Sequence, residues 1–283
     1  VLCEKPMTVT VEEAEEIAAV AKRTGTLCAV NYGYSGYPLV REMRAMIKRG
    51  DLGKIRLIRT EFAHGFHADA ADADNPRVRW RYDPAQAGIS AQFADCGIHA
   101  LHLASFVSGQ DAKELSASFA SVLESRTLED DAWVSIRMDG GALVRLWTSS
   151  VAVGRMHGFN IEVYGERGGL RWAQEWPNQL FYTPLNGRTE IIERGSNGQS
   201  PDAARATRVT IGHPEGFTTA ISNIYLDLAE VIRAKKESRT PEAHALAFPT
   251  AVDGLRSIAA IRAAVHSHQA GGQWTDARPP SLR

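Results

Sequence analysis

No two glycines stand at G-x-G spacing anywhere in the 283 residues, so the G-x-G-x-x-G turn that seats a dinucleotide pyrophosphate on a helix N-terminus is absent from this sequence. Cysteine is scarce. Cys3, Cys28 and Cys96 are too few and too scattered for a disulfide framework or a zinc site of the CxxC type, and a reduced, cytoplasmic setting is the expectation. Charge of one sign is lacking as well: 32 Lys and Arg against 33 Asp and Glu leave a net −1. That balance gives no electrostatic footprint for nucleic acid or an anionic membrane. No apolar run approaches the roughly 18 residues of a membrane span, and no internal repeat is present. The first residues carry neither an initiator Met nor a signal-peptide pattern. Val1-Leu2-Cys3 reads as the middle of a buried strand, so the expectation is that sequence precedes it.

What is there can bury a large core, with 44% hydrophobic residues over a length suited to one large or two ordinary domains. Val1 to Pro6 is a short apolar strand ending in a charged turn. Thr10 and Glu13 form a capping box for a helix that carries Ala14, Ile17, Ala18 and Ala21 and closes at Gly25. Leu27 to Asn31 is a second buried strand, followed by an aromatic loop (Tyr32, Tyr34, Tyr37). Pro38 opens a further helix that stops at Gly50. Strand, helix, strand, helix at this spacing is the closing part of a parallel α/β sheet.

From Lys54 the texture changes. Strands are predicted over 55–62 and near 113–122, 132–138, 142–149, 158–164, 169–173, 179–183 and 188–194. Hairpin-type turns fall at Asp139-Gly140-Gly141, Arg167-Gly168-Gly169 and Asn186-Gly187. The alternation of Phe159, Ile161 and Val163 argues a sheet with one covered face. Its other face needs a partner, with Leu146, Trp147, Trp172 and Trp176 as the apolar area. Residues 195–212 read as a long surface loop. Two helices end the chain, near 217–235 and 243–268. The first should bury Ile221, Ile224, Tyr225, Leu228, Val231 and Ile232.

Between the two textures lies RWRYDPAQAGISAQFADCGIHALHLASFVSG, residues 79–109. A helix running from Asp95 to about Val107 would put Asp95, His99 and His102 on one face. A carboxylate beside an imidazole on an apolar segment is expensive to bury without a partner or a purpose. A helical Asp–His pair can also be a satisfied core hydrogen bond. Glu4-Lys5-Pro6 follows a strand, so Lys5 stands at the carboxyl edge of a parallel sheet, where ligands bind, or is simply solvated there. His64 and His67 with Asp69 and Asp72 read as solvated loop residues rather than a metal site. His213-Pro214-Glu215-Gly216 either lines a pocket or caps the following helix. Cys96 reads as packing rather than nucleophile.

Glu4-Lys5-Pro6, about ninety residues before Asp95-x-Gly97-x-His99, resembles the glucose–fructose oxidoreductase / inositol dehydrogenase (Gfo/Idh/MocA) family. The similarity extends through VLCEKPMTVTVEEAEEIAAVAKRTG, NYGYSGYPLVREMRAMIKRGDLGKI, WRYDPAQAG, VYGERGGLRWAQEWPNQLFYTPL and GHPEGFTTAISNIYLDLAEVI. The resemblance implies an α/β plus α+β chain: residues 1–53 as the C-terminal remnant of a parallel Rossmann sheet, and 54–283 as a substrate-binding and oligomerisation domain. The latter would have a large, mostly antiparallel open sheet covered by helices on one face, with the last helix returning towards the Rossmann part. It implies an NAD- or NADP-dependent dehydrogenase acting on a secondary alcohol of a sugar, polyol or inositol-like substrate, although the glycine fingerprint is absent. The chain as given is then expected to be a fragment not competent alone.

By matching position, Lys5, Asp95 and His99 are catalytic, with His99 as general acid/base oriented by Asp95. Lys5, Asn31, Trp80 and Arg81 contact the cofactor. Tyr34, Trp80, Arg155, His157 and His213 are candidates for substrate contacts, and no metal is expected. A homo-oligomer, dimer or tetramer, through the open sheet is implied, with neither nucleic acid nor membrane as partner. Two readings of other classes stay open: a non-catalytic sugar-binding or oligomerisation module of the same fold, and a metal-dependent isomerase or hydrolase using Asp95, His99 and His102.

Overall fold

The structure is a computed structural model that describes residues 1–283, the side chain of Ala73 excepted. It begins with β1 (Leu2–Cys3), α1 (Val11–Thr24) and β2 (Ala29–Val30), and the two strands pair in parallel. α1 starts where the sequence places it: the Thr10 hydroxyl accepts from the Glu13 N–H at 3.2 Å, and Glu13 returns a carboxylate oxygen to the Thr10 N–H at 3.0 Å. Gly25, at φ 63°, supplies the left-handed stop. After the aromatic loop, α2 (Pro38–Arg49) opens on proline and ends at Gly50.

β3 (Ile55–Ala63) enters the large sheet. α3 (Pro76–Arg79) and α4 (Pro84–Ala87) are single turns within the loop that follows, and α5 (Ile98–Ser108) is the central helix. The remaining strands are β4 (Ala112–Ala120), β5 (Asp131–Met138), β6 (Leu143–Ser149), β7 (Phe159–Gly165), β8 (Gly168–Ala173), β9 (Gln179–Pro184) and β10 (Glu190–Glu193). α6 (Pro201–Ala206), α7 (Phe217–Lys236), α8 (Ala251–Gln269) and β11 (Thr275–Asp276) complete the chain. The nine-stranded order is β10-β9-β8-β7-β3-β6-β5-β4-β11; β3 runs parallel to β6 and the other pairings are antiparallel. α5 packs on β3, β6 and β7, while α8 packs on β4, β2 and α1. One hydrophobic core runs from Met7 to Ala277, so the segments before and after residue 54 share it.

Several expectations need correction. Residues 195–212 are not all loop: α6 sits among them, with Ala203 and Ala206 buried and the Ser200 N–H donating to Glu42 at 2.7 Å. The last helix starts at 251 rather than 243, because Pro249 cannot continue a helix and Thr250 with Asp253 caps a new one. Tyr225 and Ile232 are exposed on α7, where Ile224 and Leu228 carry the burial. Leu146 and Trp172 are buried on the covered face of the sheet and cannot serve a partner. Adjacent strand residues point to opposite faces, so of Leu146 and Trp147 only one could lie on the open side. β11 was not expected; it returns to pair Thr275 with Leu115 and Asp276 with Glu114 on the far edge.

Candidate active site

Lys5 leaves the carboxyl end of β1, and its ammonium donates to the Asp95 carbonyl oxygen at 2.7 Å and to the Asp95 carboxylate. Asp95 lies in a π-helical turn, Phe93–Gly97, that runs directly into α5. The wide turn sets Asp95 out of register with the α-helix behind it, so its carboxylate faces Lys5 and Arg81. Arg81 Nε approaches the other oxygen at 3.5 Å. Gly97 is required in this turn, because a Cβ there would come within 2.3 Å of the Phe93 ring.

Electrostatics follow from these contacts. Burial opposes ionisation of Asp95, but the Lys5 and Arg81 charges outweigh it and hold the carboxyl below its usual value. The Asp95 side chain is still 40% exposed. His99 is driven well below the usual imidazole value, first by burial, then by the Lys5 charge and by His102 and His157. The expected Asp95–His99 hydrogen bond is not found among the described residues. His99 Nδ1 is buried without a partner, and Tyr32 and Tyr34 present their rings edge-on to the imidazole, at centroid distances of 5.6 and 4.9 Å.

The predicted site residues divide into two groups. Tyr34 and His157 join the cluster: the Tyr34 hydroxyl meets His157 Nε2 at 3.2 Å, and burial lowers the His157 pKa. Asn31 stands at the end of β2 beside Glu4, donating to it at 2.7 Å, with its own Oδ1 buried and unpartnered. Trp80 is 41% exposed and stacks under the Arg81 guanidinium at 4.6 Å. Arg155 is not brought in; it pairs with Glu61 and lies over Trp147 on the opposite face of the sheet. His213 is exposed and bonds Thr210 at 3.1 Å; the segment it opens does cap α7, through Gly216 as the N-cap residue. His102 is buried and faces away, stacked on Tyr32 at 4.1 Å.

Sequence reasoning overlooked the aromatic wall around Tyr34, formed by Phe62, Phe159 and Phe217. Phe62 and Phe159 are register partners on β3 and β7, and their strand alternation was the available signal. His64, expected to be solvated, is buried, with Nε2 at 3.6 Å from Cys96 Sγ; burial, then His67, pulls its pKa down to about 4. Asp69 caps a turn through the Ala71 N–H at 2.9 Å, and Asp72 accepts from Asn75, so each carboxylate is engaged locally. No cluster of His, Cys, Asp and Glu suited to a metal occurs among the described residues.

The orphaned Asn31 Oδ1 stands at the carboxyl end of the parallel pair that also carries Lys5, as expected of a site completed by a ligand that donates a hydrogen bond there. These residues suit the nicotinamide end of a dinucleotide; a pyrophosphate turn is not among the 283 residues.

Comparison with known proteins gives a consistent neighbourhood. Residues 40–171 match a model of the GFO/IDH/MocA C-terminal domain, and residues 1–32 match the oxidoreductase family with an NAD-binding Rossmann fold. The uncharacterized oxidoreductase YfiI of Bacillus subtilis is 33% identical over 279 residues, which cover 98% of this chain and 71% of YfiI. The crystal structure of an inositol dehydrogenase homolog from Azotobacter vinelandii, complexed with NAD+, superposes with a TM-score of 0.90 at 37% identity, covering 98% of this chain and 72% of that one. The same homolog with NADH and myo-inositol gives 0.87 at 36% identity, covering 98% and 71%.

Proposed function

Because this chain belongs to the Gfo/Idh/MocA family of oxidoreductases, we infer that it carries out hydride transfer between NAD or NADP and a secondary alcohol of a sugar, polyol or inositol-like substrate. The observation that carries this reading is the Lys5–Asp95 contact across ninety residues, with the His99 imidazole alongside. Bound nicotinamide supplies the hydride acceptor. The chain's own residues manage the proton. His99 Nδ1 is closed off, which leaves Nε2 as the nitrogen a substrate hydroxyl can reach, and the neutral ring takes the hydroxyl proton there. Lys5 has two of its three N–H groups on Asp95 and a third for the substrate oxygen, where its charge stabilises developing alkoxide. Asp95 fixes the ammonium and, with Arg81, sets the local charge.

In this reading Asn31, Trp80 and Arg81 contact the cofactor, while Tyr34, Trp80 and His157 face the substrate. Residues 1–53 serve the nucleotide side and 54–283 the substrate side, with the open sheet joining copies into a homo-oligomer. No helix is long and apolar enough to cross a membrane among the described residues. The test uses the natural protein that carries residues 1–283, supplied with NAD+ or NADP+ and a panel of inositols, sugars and polyols. Substrate-dependent nicotinamide reduction that disappears in His99→Ala is the expected result. No turnover with any secondary alcohol and either cofactor would remove the reading.

A further inference from the structure

A cavity of about 210 Å³ lies between α2, α5, α6 and the turn at 243–246. Its wall carries three cations from one face of α2: Arg41, Arg44 and Lys48, spaced i, i+3 and i+7. Like charges at this spacing repel and need compensation. Arg41 has only part of it. The residue is 1% exposed; Nε donates to the Ser35 carbonyl oxygen at 3.2 Å and Nη2 to Asp227 at 2.6 Å, whereas Nη1 is buried with no hydrogen-bond partner. Arg44 lies over the Phe106 ring at 4.5 Å and, among the described residues, has no side-chain hydrogen bond or ion pair. Burial pulls the guanidinium pKa down, and the charges of Asp202 and Asp253 offset that only in part. Lys48 is exposed at the mouth. Asp202, a carboxylate on the same wall, lies 3.2 Å from His244, and its charge also acts on Arg44 in favour of the cation.

We propose that this cavity is an anion site that takes the phosphate group of a small metabolite on the side chains of Arg41, Arg44 and Lys48. A single guanidinium fork satisfies a carboxylate, but donors converging from three side chains match the several acceptor oxygens of a phosphate. The space is many times the ~15 Å³ that holds one water. It leaves room for a small organic body beside the phosphate, against Phe106 and Leu246. The site stands apart from the Lys5–Asp95–His99 cluster, and the inference is independent of the dehydrogenase reading.

The test is isothermal titration of the full chain at low salt with inorganic phosphate, glycerol 3-phosphate and citrate. Arg44→Gln and Lys48→Gln are the variants, and the exposed hairpin residue Arg188 provides the Arg188→Gln control. One-to-one saturable binding is expected, tightest for glycerol 3-phosphate. Arg44→Gln should weaken it by about tenfold or more, as loss of a charge-assisted bidentate contact does. Lys48→Gln, at an exposed position that leaves the fold untouched, should weaken it several-fold, and Arg188→Gln should leave it unchanged. Absence of saturable binding, equal binding by all four proteins, or a preference for citrate overturns the proposal.

Discussion

Tyr32 stacks flat on His102, ring centroids 4.1 Å apart and planes 8° from parallel, and turns its edge to His99. The two histidines of α5 are therefore on different sides of one buried tyrosine. Their roles divide accordingly. His99→Ala should cost about two to four orders of magnitude in kcat, the usual consequence of losing a general base. His102→Ala should leave kcat within a few-fold of the parent while lowering stability by about 2–4 kcal/mol through the cavity and the lost stacking. Steady-state kinetics paired with denaturant melts separate the two. A His102 variant as inactive as the His99 variant would revive a joint role for the pair.

Asp95 touches Lys5 and Arg81 rather than His99, and its variants should report on the cations. In Asp95→Asn the two positive charges lose their common counter-charge. Lys5 would keep its bond to the main-chain carbonyl at position 95 but lose the charged half of its anchor, and kcat should drop by about tenfold to a hundredfold. Lys5→Ala should reduce kcat and raise KM together, because the ammonium serves both oxygen binding and alkoxide stabilisation. An Asp95→Asn enzyme with parental kcat would show that the ion pair is only structural.

The strands of the large sheet were legible because a half-covered sheet writes its period of two into the sequence: Phe159, Ile161 and Val163 are buried in turn. The face each apolar residue takes is written there too, since Leu146 and Trp147 are neighbours on β6 and must point to opposite faces. The Lys5–Asp95 contact was not legible from spacing, because two residues ninety positions apart carry no periodic relation; only resemblance brought them together. The π-helical turn was illegible for a different reason. One extra residue in a turn changes side-chain direction without changing composition, and it diverted Asp95 from His99 to Lys5. Arg155 was placed by its loop, whereas a buried acceptor, Glu61, draws it through to the open face.

Five histidines bear on the pH dependence of stability. His64 and His102 are brought down to about 4, and His67, His99 and His157 are lowered as well, burial being the leading cause in each. In the unfolded chain they titrate near 6.5. Between those values the unfolded state binds more protons than the native one, so stability rises with pH and is lost as pH falls from about 6.5 towards 4. Asp95, also depressed, acts in the same direction at still lower pH. Melts across pH 7.5 to 4 should show a steadily falling midpoint, shallower in His102→Phe, which has no proton to gain. The lowered His99 also keeps the base neutral, so the acidic limb of the rate profile should lie below the ordinary histidine value. A midpoint constant from pH 7 to 4.5 would contradict the buried, neutral state of these rings.

On the open face of the sheet, Trp133 of β5 and Trp147 of β6 are register partners and stack at 5.3 Å, 9° from parallel, and Trp133 is 55% exposed. A flat pair of indoles on a strand surface is a large apolar area left in water, and Trp anchors of this kind dominate many protein interfaces. A charge at position 133 would have to be desolvated on assembly, so Trp133→Asp should weaken self-association by about tenfold to a hundredfold or more. The hydrogen bond from the Trp147 indole to Asp131, at 2.9 Å, would remain, so the sheet itself should survive the change. Sedimentation velocity over a concentration series measures both proteins directly. The parent should sediment as a dimer or tetramer and the variant should shift towards monomer. If the two dissociate at the same concentration, the oligomer is not built through this pair. A parent that is monomeric at every concentration would remove the assembly altogether.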